Sequence, residues 1–171
     1  MTVSDATPLI YMAKIGKLHL LKETFTALQI SPEVKIETVD RGKVKSCPDA
    51  YVIEQALKEG WIIETTLAEE NIKKSEALAQ MTGIDIGEAQ TVTLVKQKNQ
   101  KRVLIDQTNA REAARQLGLT PRGTIYAILA AAKRKIITKE EAKQTLEKLI
   151  EVNFYMSAKI YRDTNKAIEK L

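Results

Sequence analysis

A short apolar run that ends on an acid and turns directly into a helix constrains this chain most. Val103, Leu104 and Ile105 are continuously apolar, and Asp106 follows them at once. A strand without polar residues is typical of a parallel sheet whose two faces are both covered. In open α/β sheets, ligands bind at the carboxyl ends of the strands. The run therefore predicts an acid at the ligand-binding edge of a parallel sheet.

The start of the chain repeats this pattern. Residues 2–5 form a candidate strand that ends on Asp5, and Thr7 and Pro8 then supply an N-cap and a first-turn proline for a helix. Because the ends of parallel strands meet at one edge of a sheet, two strand-end acids from distant parts of the chain predict a shared carboxylate site.

Short strands and helices alternate along the chain. Further strands are predicted at about residues 27–30, 61–64 and 103–105, with an edge pair at 119–120 before Pro121. Helices are predicted at about 8–15, 18–24, 32–40 (interrupted at Gly42), 48–58, 68–80, 85–98, 109–117 and 124–133. This order predicts an α/β protein with three α/β/α layers and a short, mostly parallel central sheet. We expect one domain over residues 1–171, with about 135–171 as a C-terminal helical extension.

Composition excludes several function classes. Cys47 and His19 are the only cysteine and the only histidine, which excludes a thiolate metal site and a multi-histidine zinc site. A Ser-His-Asp hydrolase and a P-loop NTPase are equally disfavoured. The net charge of +5 agrees with a nucleic-acid partner and also with Lys-rich solvated helices. No targeting segment or long apolar stretch is recognisable, so we expect a cytoplasmic protein without a membrane partner.

Two further acids have good structural explanations. Asp85 and Glu88 match the acidic form of a capping box, in which side chain and backbone of each residue bond to the other. Glu33, Glu37 and Asp40 are spaced by four and three residues, as on one solvated face of a helix. Spacing alone therefore favours a structural role for Glu88 and for Glu37.

The strand-end acids Asp5 and Asp106 favour a functional role instead. Clustered carboxylates repel one another, and in a dry site at least one would be driven toward its protonated form. A divalent cation removes this conflict, and ligation by oxygen alone suits Mg²⁺ or Mn²⁺. Such ions serve phosphoryl chemistry.

Five segments share their order and spacing with a known family. They are 4–10 (Ser-Asp-Ala-Thr-Pro-Leu-Ile), 31–37 (Ser-Pro-Glu-Val-Lys-Ile-Glu), 87–89 (Gly-Glu-Ala), 104–106 (Leu-Ile-Asp) with 110–111 (Ala-Arg), and 123–124 (Gly-Thr). Together they resemble the PIN domain family, in particular its prokaryotic branch related to VapC-type toxins. The resemblance extends from residue 1 to about residue 160. In that family a parallel sheet flanked by helices gathers three or four acids around Mg²⁺ or Mn²⁺ and hydrolyses RNA phosphodiesters.

Position by position, the resemblance implies four catalytic acids. Asp5 matches the acid of the first strand, Glu37 the acid after the proline-led helix start, Glu88 the acid that opens the central helix, and Asp106 the acid after strand four. Asp5, Glu88 and Asp106 are expected to hold Mg²⁺ or Mn²⁺, directly or through water. Glu37 is expected to hold a second ion or to orient the attacking water, although Glu33 or Asp40 could take its place.

The resemblance also implies supporting residues. Thr7 matches the hydroxyl residue that supports the first acid, and Asn109 and Arg111 flank the site. Gln107 departs from the family, because close relatives often carry a second acid there. Basic residues near the mouth of the site are expected to hold the RNA backbone: Lys14, Lys43, Lys45 and Arg111.

The function implied is a metal-dependent endoribonuclease acting on single-stranded or looped RNA. Two other interpretations stay open: a non-catalytic RNA- or protein-binding module on the same fold, which Gln107 favours, and a toxin held inactive by a small antitoxin protein. PIN proteins of this kind commonly form homodimers. The apolar helices around Leu9–Met12 and Ile125–Leu129 are candidate dimer contacts, with core packing as the simpler explanation.

Overall fold

The centre of the protein is a parallel sheet of five short strands, described here from a computed structural model of residues 1–171. The strands are β1 (Thr2–Ser4), β2 (Leu28–Ile30), β3 (Ile62–Glu64), β4 (Arg102–Leu104) and β5 (Thr120–Arg122). Their order across the sheet is β3-β2-β1-β4-β5. The strand order reverses between β1 and β4, which is the point at which open α/β sheets bind ligands.

Helices cover both faces of this sheet. They are α1 (Ala6–Lys14), α2 (His19–Phe25), α3 (Pro32–Lys35), a π-helical segment (Ile36–Asp40), α4 (Arg41–Val44), α5 (Pro48–Lys58), α6 (Glu69–Thr82), α7 (Ile86–Gln97), α8 (Thr108–Gln116), α9 (Thr124–Lys133), α10 (Lys139–Glu151) and α11 (Ala158–Glu169). The three-layer α/β/α fold with a helical C-terminal part is confirmed. None of the helices has the length and apolarity that crossing a membrane requires.

Two apolar cores lie on opposite faces of the sheet. The side chain of Leu104 belongs to the larger core, under α1, α2, α5 and α9, whereas Val103 and Ile105 belong to the smaller core under α7 and α8. Successive side chains of a strand point to opposite faces, so both faces of β4 are buried. This burial explains why residues 103–105 are continuously apolar.

The C-terminal helices pack on the larger core. Leu146 of α10 and Ile168 of α11 are fully buried in it, together with Leu9, Met12 and Ile128. The apolar helices that were candidates for dimer contacts therefore direct these side chains into the core of their own chain.

The start of α1 differs from the sequence prediction. Its N-cap is Asp5, and Thr7 lies within the first turn, so the prediction that Thr7 caps this helix was wrong. The Asp5 N–H donates to the Leu104 carbonyl oxygen at 2.8 Å. Because this hydrogen bond holds the backbone against β4, the chain turns into the helix directly after Asp5.

Two other boundaries also differ. Helical structure continues through Gly42 to Val44 and does not end at the glycine. Gly42 has a packing role instead: α4 and α5 approach so closely that a Cβ at residue 42 would lie 2.7 Å from the Ala50 Cβ. Strand β5 includes Pro121, which is tolerated because β5 is an edge strand: residues 120 and 122 make the hydrogen bonds to the β4 side, and at position 121 no donor is needed.

Candidate active site

Asp5 lies at the carboxyl end of β1, next to the point where the strand order reverses. It is only 3% exposed, and its Oδ1 accepts a long hydrogen bond from the Thr91 hydroxyl at 3.5 Å. Burial raises the pKa of Asp5 well above its usual value, and the charges of Glu88 and Glu37 raise it further, while the Ala6 N–H partly offsets them. The site therefore holds a buried acid close to other acids.

Glu88 serves both as a helix cap and as a neighbour of Asp5. Its Oε2 accepts the Asp85 N–H at 3.0 Å, and its own N–H donates to Asp85 Oδ1 at 2.8 Å, so the capping box is confirmed. Glu88 is 6% exposed. Burial raises the pKa of Glu88, and the charges of Asp85 and Glu37 add to this rise. The prediction of a capping box is therefore correct, and the capping box holds the Glu88 carboxylate near Asp5.

Glu37 lies in the π-helical segment, where a single wide turn interrupts the α-helical run. Such π-bulges occur frequently at functional sites. Glu37 is half-buried, and its pKa is raised first by this burial and then by the charge of Asp85. The π-helical turn therefore places a carboxylate next to the start of α7.

The two alternatives to Glu37 are engaged in ion pairs. Glu33 forms an ion pair with Arg41 at 2.9 Å, and Asp40 forms one with Lys35 at 2.8 Å. Glu37 forms no ion pair, and its charge raises the pKa values of Asp5 and Glu88.

A glycine allows the π-helical segment and α7 to approach each other. A Cβ built on Gly87 would lie 3.4 Å from Glu37 Oε2 and 3.3 Å from Asp85 Oδ1. The carboxylates of Asp5, Glu37, Asp85 and Glu88 thus act on one another's charge, and we refer to these four residues as the acidic cluster.

Asp106 has different neighbours. Its Oδ1 accepts the Thr124 N–H at 2.9 Å and its Oδ2 accepts the Thr124 hydroxyl at 2.6 Å. Burial raises the pKa of Asp106, while Thr124 and the charge of Arg111 lower it. Gly123, the N-cap residue of α9, has no side chain to cap the helix, so Asp106 does so from 18 residues away.

Shared ligation of one ion by Asp5, Glu88 and Asp106 stays a prediction. No three acids, histidines or cysteines lie together as a group that could hold a metal ion. Asp106 is not among the charges that raise the pKa of Asp5, and both of its carboxylate oxygens accept hydrogen bonds from Thr124. The donors of the acidic cluster nevertheless fit a hard divalent cation, since they are carboxylate oxygens whose raised pKa values record mutual repulsion.

The predicted supporting residues occupy different environments. Thr7 is half-buried and does not bind Asp5, whose hydroxyl partner is Thr91. Asn109 is exposed on α8, and Arg111 donates to the Ile105 carbonyl oxygen at 3.0 Å. Sequence reasoning missed Thr91. Its position three residues after Glu88, on the same face of α7, is the signal that points to it.

A cavity of about 450 Å³ opens beside the acidic cluster. Glu37, Asp85 and Gly87 line it together with Lys14 and Lys45. Both lysines are exposed and free of ion pairs, which leaves their ammonium groups available to an anion. Another lysine in the predicted backbone-binding set, at position 43, instead pairs with Glu54 at 2.8 Å.

Comparison with protein-family models identifies the family. A family model described as a PIN domain covers residues 1–170, and thus every strand and helix of the fold. No curated protein matches the chain at a significant level. PIN domains have a nuclease-like fold and typically use divalent metal ions.

Proposed function

The chain belongs to the PIN domain family, and from this membership we propose that it is a metal-dependent endoribonuclease. The observation that carries the proposal is the acidic cluster at the strand-order reversal. Asp5, which is 3% exposed, faces Glu88 and Glu37 there. Three buried or half-buried acids without ion pairs at a ligand-binding edge are costly to stability and are typical of a functional site.

Asp5, Glu88 and Asp106 would hold Mg²⁺ or Mn²⁺, directly or through water, and Glu37 would hold a second ion or orient the attacking water. The bound ion would supply a water nucleophile at neutral pH and stabilise charge on the phosphate oxygens. The chain's own residues provide the rest. The capping box with Asp85 holds Glu88 in place, Thr91 orients Asp5, and Lys14 and Lys45 attract the RNA backbone into the cavity.

Cleavage of a labelled single-stranded RNA by the purified chain tests this proposal. We expect cleavage with Mg²⁺ or Mn²⁺, none with EDTA, and loss of activity in Asp5→Asn and Glu88→Gln. Glu76→Gln is the matched control, because Glu76 is exposed on α6 and forms no ion pair. Equal cleavage by the Asp5→Asn variant and the wild type would mean that a contaminating nuclease, and not the acidic cluster, is responsible.

A catalytically weakened RNA- or protein-binding module is the second candidate. The engagement of Asp106 by Thr124 favours it, as does Gln107, a neutral residue where relatives often have an acid. Calorimetric titration with Mn²⁺ separates the two candidates. A nuclease binds Mn²⁺ in a manner that Asp5→Asn abolishes, whereas a binding module shows the same heat in both proteins.

The resemblance to VapC-related proteins supports finer proposals. We propose that the chain is a cytoplasmic toxin whose partner is a small antitoxin protein, and that it forms a homodimer. A short open reading frame beside the gene, whose product suppresses growth arrest on co-expression, would support the first proposal. Light scattering measures whether the chain forms a homodimer.

We also propose a single domain over 1–171, in which residues from about 135 form an extension that packs on the larger core.

A further inference from the structure

Arg111, near the start of α8, lies close to two other arginine side chains on the β4–β5 side of the sheet. Arg111 and Arg115 are one turn apart on α8, and Arg122 is the last residue of β5. Burial lowers the pKa of Arg111, and the charges of Arg115 and Arg122 lower it further. The Arg111 guanidinium is therefore near enough to those of Arg115 and Arg122 to be repelled by both.

The chain supplies little negative charge to balance them. Arg115 pairs with Glu112 at 3.1 Å, but both side chains are about half exposed, so this pair contributes little. Asp106 is the carboxylate that acts on Arg111, and Thr124 occupies both of its oxygens.

Arg122 is the least satisfied of the three. It forms no ion pair, and its Nε is buried without a hydrogen-bond partner. A buried donor without an acceptor is costly. The terminal nitrogens of the half-buried Arg122 side chain form no hydrogen bond within the chain and are left for an acceptor from outside it.

Two of the guanidinium groups are already held in position. The Arg122 guanidinium lies 4.6 Å from the centre of the Tyr126 ring, and Arg111 donates to the Ile105 carbonyl oxygen at 3.0 Å. A planar guanidinium that is fixed in this way binds phosphate through two hydrogen bonds and loses little side-chain entropy.

We propose that Arg111, Arg115 and Arg122 bind a phosphate of the nucleic-acid strand that the acidic cluster cleaves. The inference rests on the proposed nuclease function. Strand β5 lies two strands from β1, which places Arg122 about 10 Å from Asp5 by the usual spacing of strands. A neighbouring phosphate of the same strand spans this distance. The arginines extend the RNA-binding surface to the β5 side, whereas Lys14 and Lys45 line the cavity beside Glu37.

Binding of a fluorescein-labelled single-stranded RNA, measured by anisotropy over a series of salt concentrations, tests the site. All proteins carry Asp5→Asn so that the RNA stays intact. We expect Arg122→Ala to weaken binding about 10-fold or more, since a charge-assisted hydrogen bond is lost. The slope of log K against log salt should fall by about 0.7 for each phosphate contact removed. Arg122→Lys keeps the charge, so it should keep the slope while losing affinity.

Arg102→Ala is the matched control, because Arg102 is exposed at the amino end of β4, on the opposite edge of the sheet. It should retain the parent affinity and slope. If Arg122→Ala fails to fold, Arg115→Ala carries the test, since Arg115 is exposed and its removal leaves the core intact.

The outcomes separate the two proposals. If arginine variants bind like the Arg102→Ala control while the wild type cleaves RNA, the phosphate site is refuted and the nuclease stands. If the arginine variants lose binding but the wild type never cleaves, the phosphate site stands and the nuclease fails. A parent protein that binds no RNA refutes the site.

Discussion

Replacing Asp5 by asparagine should stabilise the fold at neutral pH while it removes cleavage. The side chain is 3% exposed, and burial together with the charges of Glu88 and Glu37 raises its pKa. A carboxylate whose pKa is higher in the folded than in the unfolded state destabilises the fold when it is ionised. Asparagine keeps the shape of the side chain and removes the charge.

The expected gain is about 0.5–2 kcal/mol in the free energy of unfolding, which is typical for relief of an unfavourable functional site. The opposing loss comes from the hydrogen bonds that the Asp5 carboxylate accepts from the Ala6 N–H and the Thr91 hydroxyl. The hydrogen bond from Thr91 is already long, at 3.5 Å, and the amide oxygen of asparagine still accepts it. For a chain of this length the gain corresponds to a rise in Tm of about 1–8 °C.

The pH dependence has a definite sign. Because the folded-state pKa of Asp5 is raised, the stability contributed by its protonated form is complete below the unfolded pKa, about 3.9, and is lost as pH rises through the folded value. The advantage of Asp5→Asn over the wild type should therefore be greatest at neutral pH and should vanish near pH 4 (about the unfolded value).

Urea denaturation followed by circular dichroism at several pH values measures this difference. Asp163→Asn is the control, because Asp163 is exposed on α11, and its stability should stay within about 0.5 kcal/mol of the wild type. The reasoning is refuted if Asp5→Asn is less stable than the wild type at pH 7, or if its advantage is the same at every pH.

Three further predictions follow from the site. Thr124→Val removes the hydroxyl that binds Asp106 and should lower the free energy of unfolding by about 1–2 kcal/mol in urea titrations, whereas Thr124→Ser should retain most of it. Gly123→Ala brings a Cβ against the Asp106 carboxylate and should destabilise by at least about 1 kcal/mol in the same titration; an unchanged midpoint would contradict this contact. RNA cleavage should increase with pH through the raised pKa values of Glu37 and Glu88, because the carboxylates must be ionised to hold a cation; a rate that falls over this range in a pH–rate profile would contradict it.

Much of the fold could be predicted because its signals are local. The apolar run before Asp106 indicated a strand buried on both faces, and the spacing of Asp85 and Glu88 indicated a capping box. Both depend only on residues adjacent or three apart. The start of α1 could not be predicted this way, because a hydrogen bond from Asp5 to another strand decides where that helix begins.

The sequence by itself determined the layered parallel sheet, its family and the acids at the strand ends. Only the tertiary structure decided which neighbours those acids have. Asp5 and Asp106 follow similar strands, yet Asp5 faces Glu88 and Glu37, whereas Asp106 caps α9 through Thr124. The physical reason is that the partner of a buried side chain depends on which helix ends pack over that part of the sheet, and periodicity along one segment carries no information about a contact with another.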